Sequence, residues 1–214
     1  MCIRDSIDIA SSQLAFHYCW NCEESIRNFM TTATSKMVRG GYLILTVPDA
    51  LRIVKKIRDP SLQKRDPKNG NYVVQNKYYA VMFDKIKFPS KAPFGISYGF
   101  YLCEGAVGNK VETETEVIYQ HVKEYLVIEQ ELSRIAKDFG MELEESVNFH
   151  EFYESSGNCE MLRRLKKGWT CDPQLWDAIG LYKVIVYKKK TGPLPDEKER
   201  KLEEHPDSFV FLKK

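Results

Sequence analysis

Ser11-Ser12-Gln13-Leu14-Ala15-Phe16-His17-Tyr18 is the stretch that decides how the rest of the chain is read. Ile7-Asp8-Ile9-Ala10, a strand-forming run, leads straight into it, and a helical pattern begins a few residues later. Gln13 to Tyr18 therefore stands just past the C-terminal end of a strand, where open α/β sheets take their ligands. It gathers an amide, two aromatics and an imidazole. On residue chemistry alone, Phe16 and Tyr18 read equally well as core, and His17 as a loop histidine bonded to backbone.

Outward from there, Asn21 with Glu24 three residues on predicts a helix start, Asn21 being the N-cap. Ile26, Phe29, Met30, Ala33 and Met37 recur on one helical face, and Gly40-Gly41 supplies a stop. Tyr42 to Val47 is nearly all apolar, as in a strand buried on both faces. Strand, helix, strand makes a βαβ unit, so Ile7–Ser11 and Tyr42–Val47 should be parallel neighbours with a right-handed crossover. A second helix is expected over 50–58. Its basic residues Arg52, Lys55, Lys56 and Arg58 read first as a solvated face and second as an RNA contact.

After a polar loop over 59–70, Tyr72–Val74, Tyr78–Phe83 and Ile96–Leu102 are aromatic and β-branched. They predict antiparallel strands inserted between elements of the parallel sheet. A loop is expected over 105–116. Tyr125, Ile128, Leu132, Ile135, Ala136 and Phe139 mark a third helix, which puts Glu124 in its first turn. Leu143, Glu145, Val147 and Phe149 alternate as a strand. A short helix over 151–167 and a connection over 166–177 should follow, and Ile179–Tyr187 is the last strand, antiparallel in the main sheet. Beyond it the chain is highly charged and proline-punctuated, as in a tail.

The opening stretch, with Gln13, His17 and Tyr18 in a Q-x-x-x-H-Y pattern, resembles the eukaryotic and viral mRNA cap guanine-N7 methyltransferases. Further segments agree in order: Arg39-Gly40-Gly41-Tyr42-Leu43-Ile44-Leu45-Thr46-Val47-Pro48, Gly95-Ile96-Ser97-Tyr98-Gly99-Phe100-Tyr101-Leu102, Lys123-Glu124-Tyr125-Leu126-Val127, Glu151-Phe152-Tyr153, and Trp176 to Tyr187. The similarity runs from about Ile7 to Tyr187. It implies an α/β fold, the second half of a class I (Rossmann-like) S-adenosylmethionine-dependent methyltransferase sheet with an inserted antiparallel substrate-recognition element. It also implies transfer of a methyl group from S-adenosyl-L-methionine to N7 of the 5′ cap guanosine of mRNA. Capped mRNA would be the partner, with other capping enzymes beside it, in the nucleus for a cellular enzyme and the cytoplasm for a viral one.

The resemblance also assigns residues. His17 and Tyr18 would stand beside the cap guanine and Glu124 would read its edge. Pro48 would wall the site, Phe100 and Tyr182 would stack on the base, and Gln13 with Tyr18 would touch the methyl donor. Guanine N7 already carries a lone pair, so positioning rather than a general base is what the reaction asks of the protein. A carboxylate accepts both N1–H and N2–H₂ of guanine, a pairing that adenine does not offer. Two plainer roles stand beside these: Glu124 as an ordinary first-turn glutamate, and Phe100 and Tyr182 as sheet core. Lys123 and Asp49 depart from the proline and asparagine usual in the family at those places.

The 214 residues suffice for one domain with a real core. A net charge of +2 argues for a local nucleic-acid patch rather than a general basic coat. No apolar run approaches the ~20 residues of a membrane helix. Cys19 and Cys22 form one C-x-x-C without a second pair, which disfavours a zinc site. The chain contains no glycine-rich strand–loop–helix unit with a downstream acid, so it is expected to begin mid-domain and to be inactive alone. The expected segments are 1–6 as a non-native scar, 7–58 as sheet core, 59–123 as cap-recognition insert, 124–189 as helix and terminal strands, and 190–214 as tail. A class I methyltransferase for another small substrate, and a binding module without a donor site, are the competing readings.

Overall fold

The computed structural model describes residues 6–88, 93–103, 109–112, 117–156, 164 and 172–191. Four strands form the main sheet: β1 (Ile7–Gln13), β2 (Met37–Pro48), β10 (Met141–Asn148) and β11 (Tyr182–Lys189), in the order β1-β2-β11-β10. β1 and β2 are parallel, and β11 runs antiparallel to both β2 and β10. The expected pairing of the first two strands, and the antiparallel last strand, are therefore present.

α1 (Glu23–Thr34) makes the crossover between β1 and β2. It starts after Cys22 rather than at Asn21, because Phe16–Asn21 coil into a 3-10 turn that uses Asn21 as its last residue. It also stops well before Gly40-Gly41. Thr31, Thr32 and Thr34 each turn a hydroxyl back onto a carbonyl four residues earlier, which weakens a last helical turn. The two glycines instead form a bulge in β2, where Ile7 pairs with Met37 but Ile9 already pairs with Tyr42. Gly40 takes φ +91°, and a Cβ on Gly41 would sit 2.7 Å from the Asp8 carbonyl oxygen.

α2 (Ala50–Arg58) follows as expected, with the Asp49 carboxylate accepting from Arg52 N–H at its start. β3 (Lys64–Arg65), β4 (Tyr72–Gln75), β5 (Tyr79–Phe83), β6 (Ser97–Leu102) and β9 (Val122–Tyr125) form a second, antiparallel sheet in the order β3-β4-β5-β6-β9. β7 (Asn109–Glu112) and β8 (Val117–Gln120) pair as a hairpin inside what reads in sequence as a loop.

The third helix, α3 (Glu129–Asp138), begins five residues after Glu124, which is a strand residue of β9. Tyr125 closes the β9 ladder opposite Ser97, and Leu126 and Val127 beyond it are buried as extended chain before the helix begins. In β10 the register shifts between Leu143 and Glu145, so Leu143 is exposed and the expected alternation breaks. Phe149 belongs to α4 (Phe149–Ser155), shorter than the helix expected over 151–167; most of the remainder lies outside the described residues. Part of the expected connection is α5 (Pro173–Ile179), capped by Asp172 with proline in its first turn, so β11 starts at Tyr182 rather than Ile179. The expected tail falls outside the described residues from 192 on.

Two cores result. Leu43, Leu45, Val47, Ile185 and Tyr187 of the main sheet pack under α1 and α3 with Phe16 and Trp20. Ile53 and Ile57 of α2 pack against Val81, Phe83, Tyr98 and Phe100 of the second sheet. Among the described residues β1 is an edge strand, with Ile7, Ile9 and Leu14 exposed. Such an edge is a template for pairing with a second chain. The purified chain is therefore expected to self-associate with rising concentration, and Ile9→Lys to suppress this. Sedimentation velocity checks it, and a monomer at all concentrations would count against the edge as a sticky surface.

Candidate functional site

The site forms where the end of β1 meets the second sheet. Leu14 N–H donates to both the carbonyl (3.0 Å) and the hydroxyl (2.9 Å) of Thr46 on β2, and Leu14 itself takes φ +52°. That corner turns the chain out of the sheet into the 3-10 turn. Phe16 and Trp20 drop into the core, and the Trp20 indole donates to the Pro93 carbonyl at 2.8 Å. His17 points the other way, into a buried position against Glu124. Phe16 thus takes the core role, while Tyr18, 41% exposed, does not.

Glu124 is 2% exposed. Its Oε2 accepts a 2.7 Å bond from the Tyr98 hydroxyl, and its Oε1 a long 3.4 Å bond from the Tyr18 hydroxyl. His17 Nε2 lies 3.4 Å from Oε1, within ion-pair reach but not aligned as a hydrogen bond. Neither His17 nitrogen has a hydrogen-bond partner among the described residues. A buried polar side chain left this way calls for an explanation, because the great majority in folded proteins are satisfied. Glu124 on a strand also removes the first-turn role, and with it the helix-dipole argument.

Burial, then the neighbouring Glu124 charge, hold the Tyr98 hydroxyl well above the usual phenol range. The same causes in the same order raise Tyr18 and Tyr182. Three neutral phenols therefore surround one carboxylate. Tyr182 pairs in register with Pro48, which is buried at the end of β2. Phe100 is 1% exposed and packs edge-on to both Tyr98 and Tyr182, at 6.2 and 6.3 Å between ring centres. Phe100 thus has the core packing read beside its stacking role, and it supports the rings that face the carboxylate. Gln13 is exposed at the end of β1, its amide donating to the Ser11 hydroxyl.

The family resemblance grouped His17, Tyr18, Pro48, Glu124 and Tyr182, which the structure brings together, but it did not single out Tyr98. Its signal was there: Tyr98 sits directly opposite Glu124 once β6 and β9 pair. It also missed Asn148, which ties the Pro48–Asp49 corner to β10 and to Gly180. The basic run of α2 is largely engaged within the protein. Arg52 bonds Asn148 and His150, Lys56 pairs with Asp177, and Arg58 donates to the Ile86 carbonyl.

The model of the mRNA (guanine-N(7))-methyltransferase domain matches residues 3–190. The chain belongs to this family. A rice (Oryza sativa subsp. japonica) mRNA cap guanine-N(7) methyltransferase 1 is 29% identical over 197 residues, which cover 87% of this chain and 48% of that protein. The Candida albicans mRNA cap guanine-N(7) methyltransferase is 30% identical over 193 residues, covering 86% of this chain and 38% of that one. The chain spans about half the length, or less, of the curated relatives it matches. Among solved structures, the CcbJ methyltransferase from Streptomyces caelestis aligns with a TM-score of 0.47 at 13% identity, covering 87% of this chain and 58% of that one. As a member of the cap guanine-N7 methyltransferase family, the chain has an α/β fold of class I. Its main sheet runs β1-β2-β11-β10, with β11 reversed between two neighbours.

Proposed function

We propose that this chain carries the guanine-reading side of an enzyme that methylates N7 of the 5′ cap guanosine of mRNA. The observation that carries the reading is the buried Glu124 carboxylate set against an imidazole with no hydrogen-bond partner among the described residues. Guanine presents N1–H and N2–H₂ beside a carbonyl oxygen. Glu124 accepts from the two donors, and a His17 N–H donates to the carbonyl. Tyr18 and Tyr182 bound the base, with Phe100 behind them and Pro48 as a wall. Stacking on such rings is worth ~1–3 kcal/mol per base. Asp49, where the family usually has asparagine, caps α2 and accepts from Asn148, so it holds the wall rather than the base.

S-adenosyl-L-methionine would supply the methyl group as an electrophile. Gln13 and Tyr18, exposed and half-exposed at the end of β1, are the residues of this chain that suit contact with it. Holding base and methyl in line is the protein's contribution, worth up to roughly 7–11 kcal/mol in favourable cases. Capped mRNA is the partner under this reading, with other capping enzymes beside it and the nucleus as the place of action. The buried carboxylate among phenols favours this reading over a methyltransferase for another small substrate.

Calorimetric titration with the cap dinucleotides GpppA and ApppA tests the reading. GpppA is expected to give a tight site absent from ApppA, stronger by roughly tenfold or more, since adenine leaves the carboxylate without its donors. Equal affinity for the two would sink it.

A further inference from the structure

Tyr98 faces Glu124 directly across the antiparallel β6–β9 pair. Its ring is 3% exposed, stacked on Phe83 at 5.4 Å with 25° between planes, and met edge-on by Phe100. Packing on both sides fixes where the hydroxyl lies. Among the described residues that hydroxyl makes the one short bond to the carboxylate, 2.7 Å to Oε2, whereas both contacts of Oε1 are 3.4 Å long. One oxygen is held and the other is loosely attended.

We infer that Tyr98 is a positioning residue for guanine recognition: its hydroxyl clamps one oxygen of Glu124 and so sets the plane in which the carboxylate meets the base. This rests on the guanine-reading function proposed above. The terminal torsion of a glutamate is broad, so a free carboxylate samples many planes. Two parallel N–H groups on a flat base need one plane. A carboxylate has about four acceptor positions, and the clamp occupies one, leaving positions on both oxygens. Ordering it beforehand removes a cost that binding would otherwise bear. The Tyr18 hydroxyl, on a half-exposed side chain with a long bond, is the group an incoming base displaces. Burial keeps Tyr98 a neutral donor throughout.

The test compares guanine and inosine caps, GpppA and IpppA, by calorimetry. Inosine lacks the N2 amine and uses only one of the two bonds. Wild type is expected to favour guanine by roughly tenfold. Tyr98→Phe keeps the ring and its packing but should reduce that preference to within about threefold, mainly by weakening the guanine cap. Tyr98→Met, which also lacks the hydroxyl, should do the same, so the inference does not hang on one variant folding. The Tyr98→Phe/Glu124→Gln pair should bind no worse than Glu124→Gln alone, because in that background the clamp holds the amide carbonyl and so turns the NH₂ toward the guanine donors, an orientation whose loss costs nothing. If Tyr98→Phe weakens both caps by one common factor, and adds fully to Glu124→Gln, Tyr98 is only packing and the inference is overturned. If wild type does not separate the caps and Glu124→Gln binds them equally well, the guanine-reading function itself fails and takes the inference with it.

Discussion

Under the guanine-reading function proposed above, Glu124→Gln is expected to lower kcat/KM for methylation of guanine-capped RNA by one to two decades. The variant keeps the shape and keeps a carbonyl to accept from Tyr98, but it turns an NH₂ donor toward a guanine donor. Losing a charge-assisted bond and leaving a buried donor unpaired costs roughly 1–3 kcal/mol, and each 1.4 kcal/mol is tenfold in rate. Inosine-capped RNA should lose less, having no N2 amine to misplace. A stability cost of about 1 kcal/mol accompanies the change, since the carboxylate is buried and bonded rather than sitting in an exposed helix turn. A methyl-transfer assay with both caps, run beside a melting curve, measures all three quantities. Wild-type turnover of both substrates would leave Glu124 a structural residue.

Asn148→Asp is expected to cost several kcal/mol of stability, a large loss for a conservative change. Asn148 is 6% exposed and its side chain is fully used. Nδ2 donates to Asp49 Oδ2 at 2.9 Å and to the Gly180 carbonyl at 3.0 Å, while Oδ1 accepts from Arg52 Nη1 at 3.2 Å and from His150 N–H at 3.0 Å. Aspartate replaces the donor by an acceptor that faces the partly buried Asp49 carboxylate and the buried Gly180 carbonyl. Breaking buried polar pairs in this way costs about 3–5 kcal/mol, and the nearby Arg52 offsets part of it. A loss of roughly 3 kcal/mol should lower Tm by about 6–12 °C in a chain of this size. The deficit should shrink toward acid pH, because protonating the substituted carboxyl restores an O–H donor to Asp49. A Tm within about 2 °C of wild type at neutral pH would mean that the corner is held by other contacts.

The parallel pair, its crossover and the reversed last strand were legible because their signals are local and unopposed. Strand runs bounded by a helical period leave little freedom once a right-handed crossover is imposed. What was misread lay where local pattern and pairing disagree. The glycines after α1 look like a helix stop, yet they serve a bulge whose need arises only when β1 approaches within contact of Gly41. Tyr125 to Phe139 carries a helical period from its first residue, but β6 offers β9 a ladder that outweighs one more helical turn. The site followed the same division. His17 and Tyr18 stand just past a strand end that the sequence marks plainly, while Pro48, Glu124 and Tyr182 came only from the family resemblance. Tyr98 and Asn148 act through partners distant in sequence, and no spacing announces such partners.

Tyr18 and Glu124 are 106 positions apart in the chain, and the first stands on the main sheet's corner while the second belongs to the other sheet. Their meeting has a long closure to complete, and contacts of such high separation form late. The corner leaves the ribosome well before β9 is made, so until β9 is in place the corner lacks its carboxylate. Ligand competence then depends on the two sheets being in contact rather than on either sheet alone. Partial opening between the sheets would empty the site while each keeps its own hydrogen bonds, and a lesion far from any site residue could silence the protein by that route.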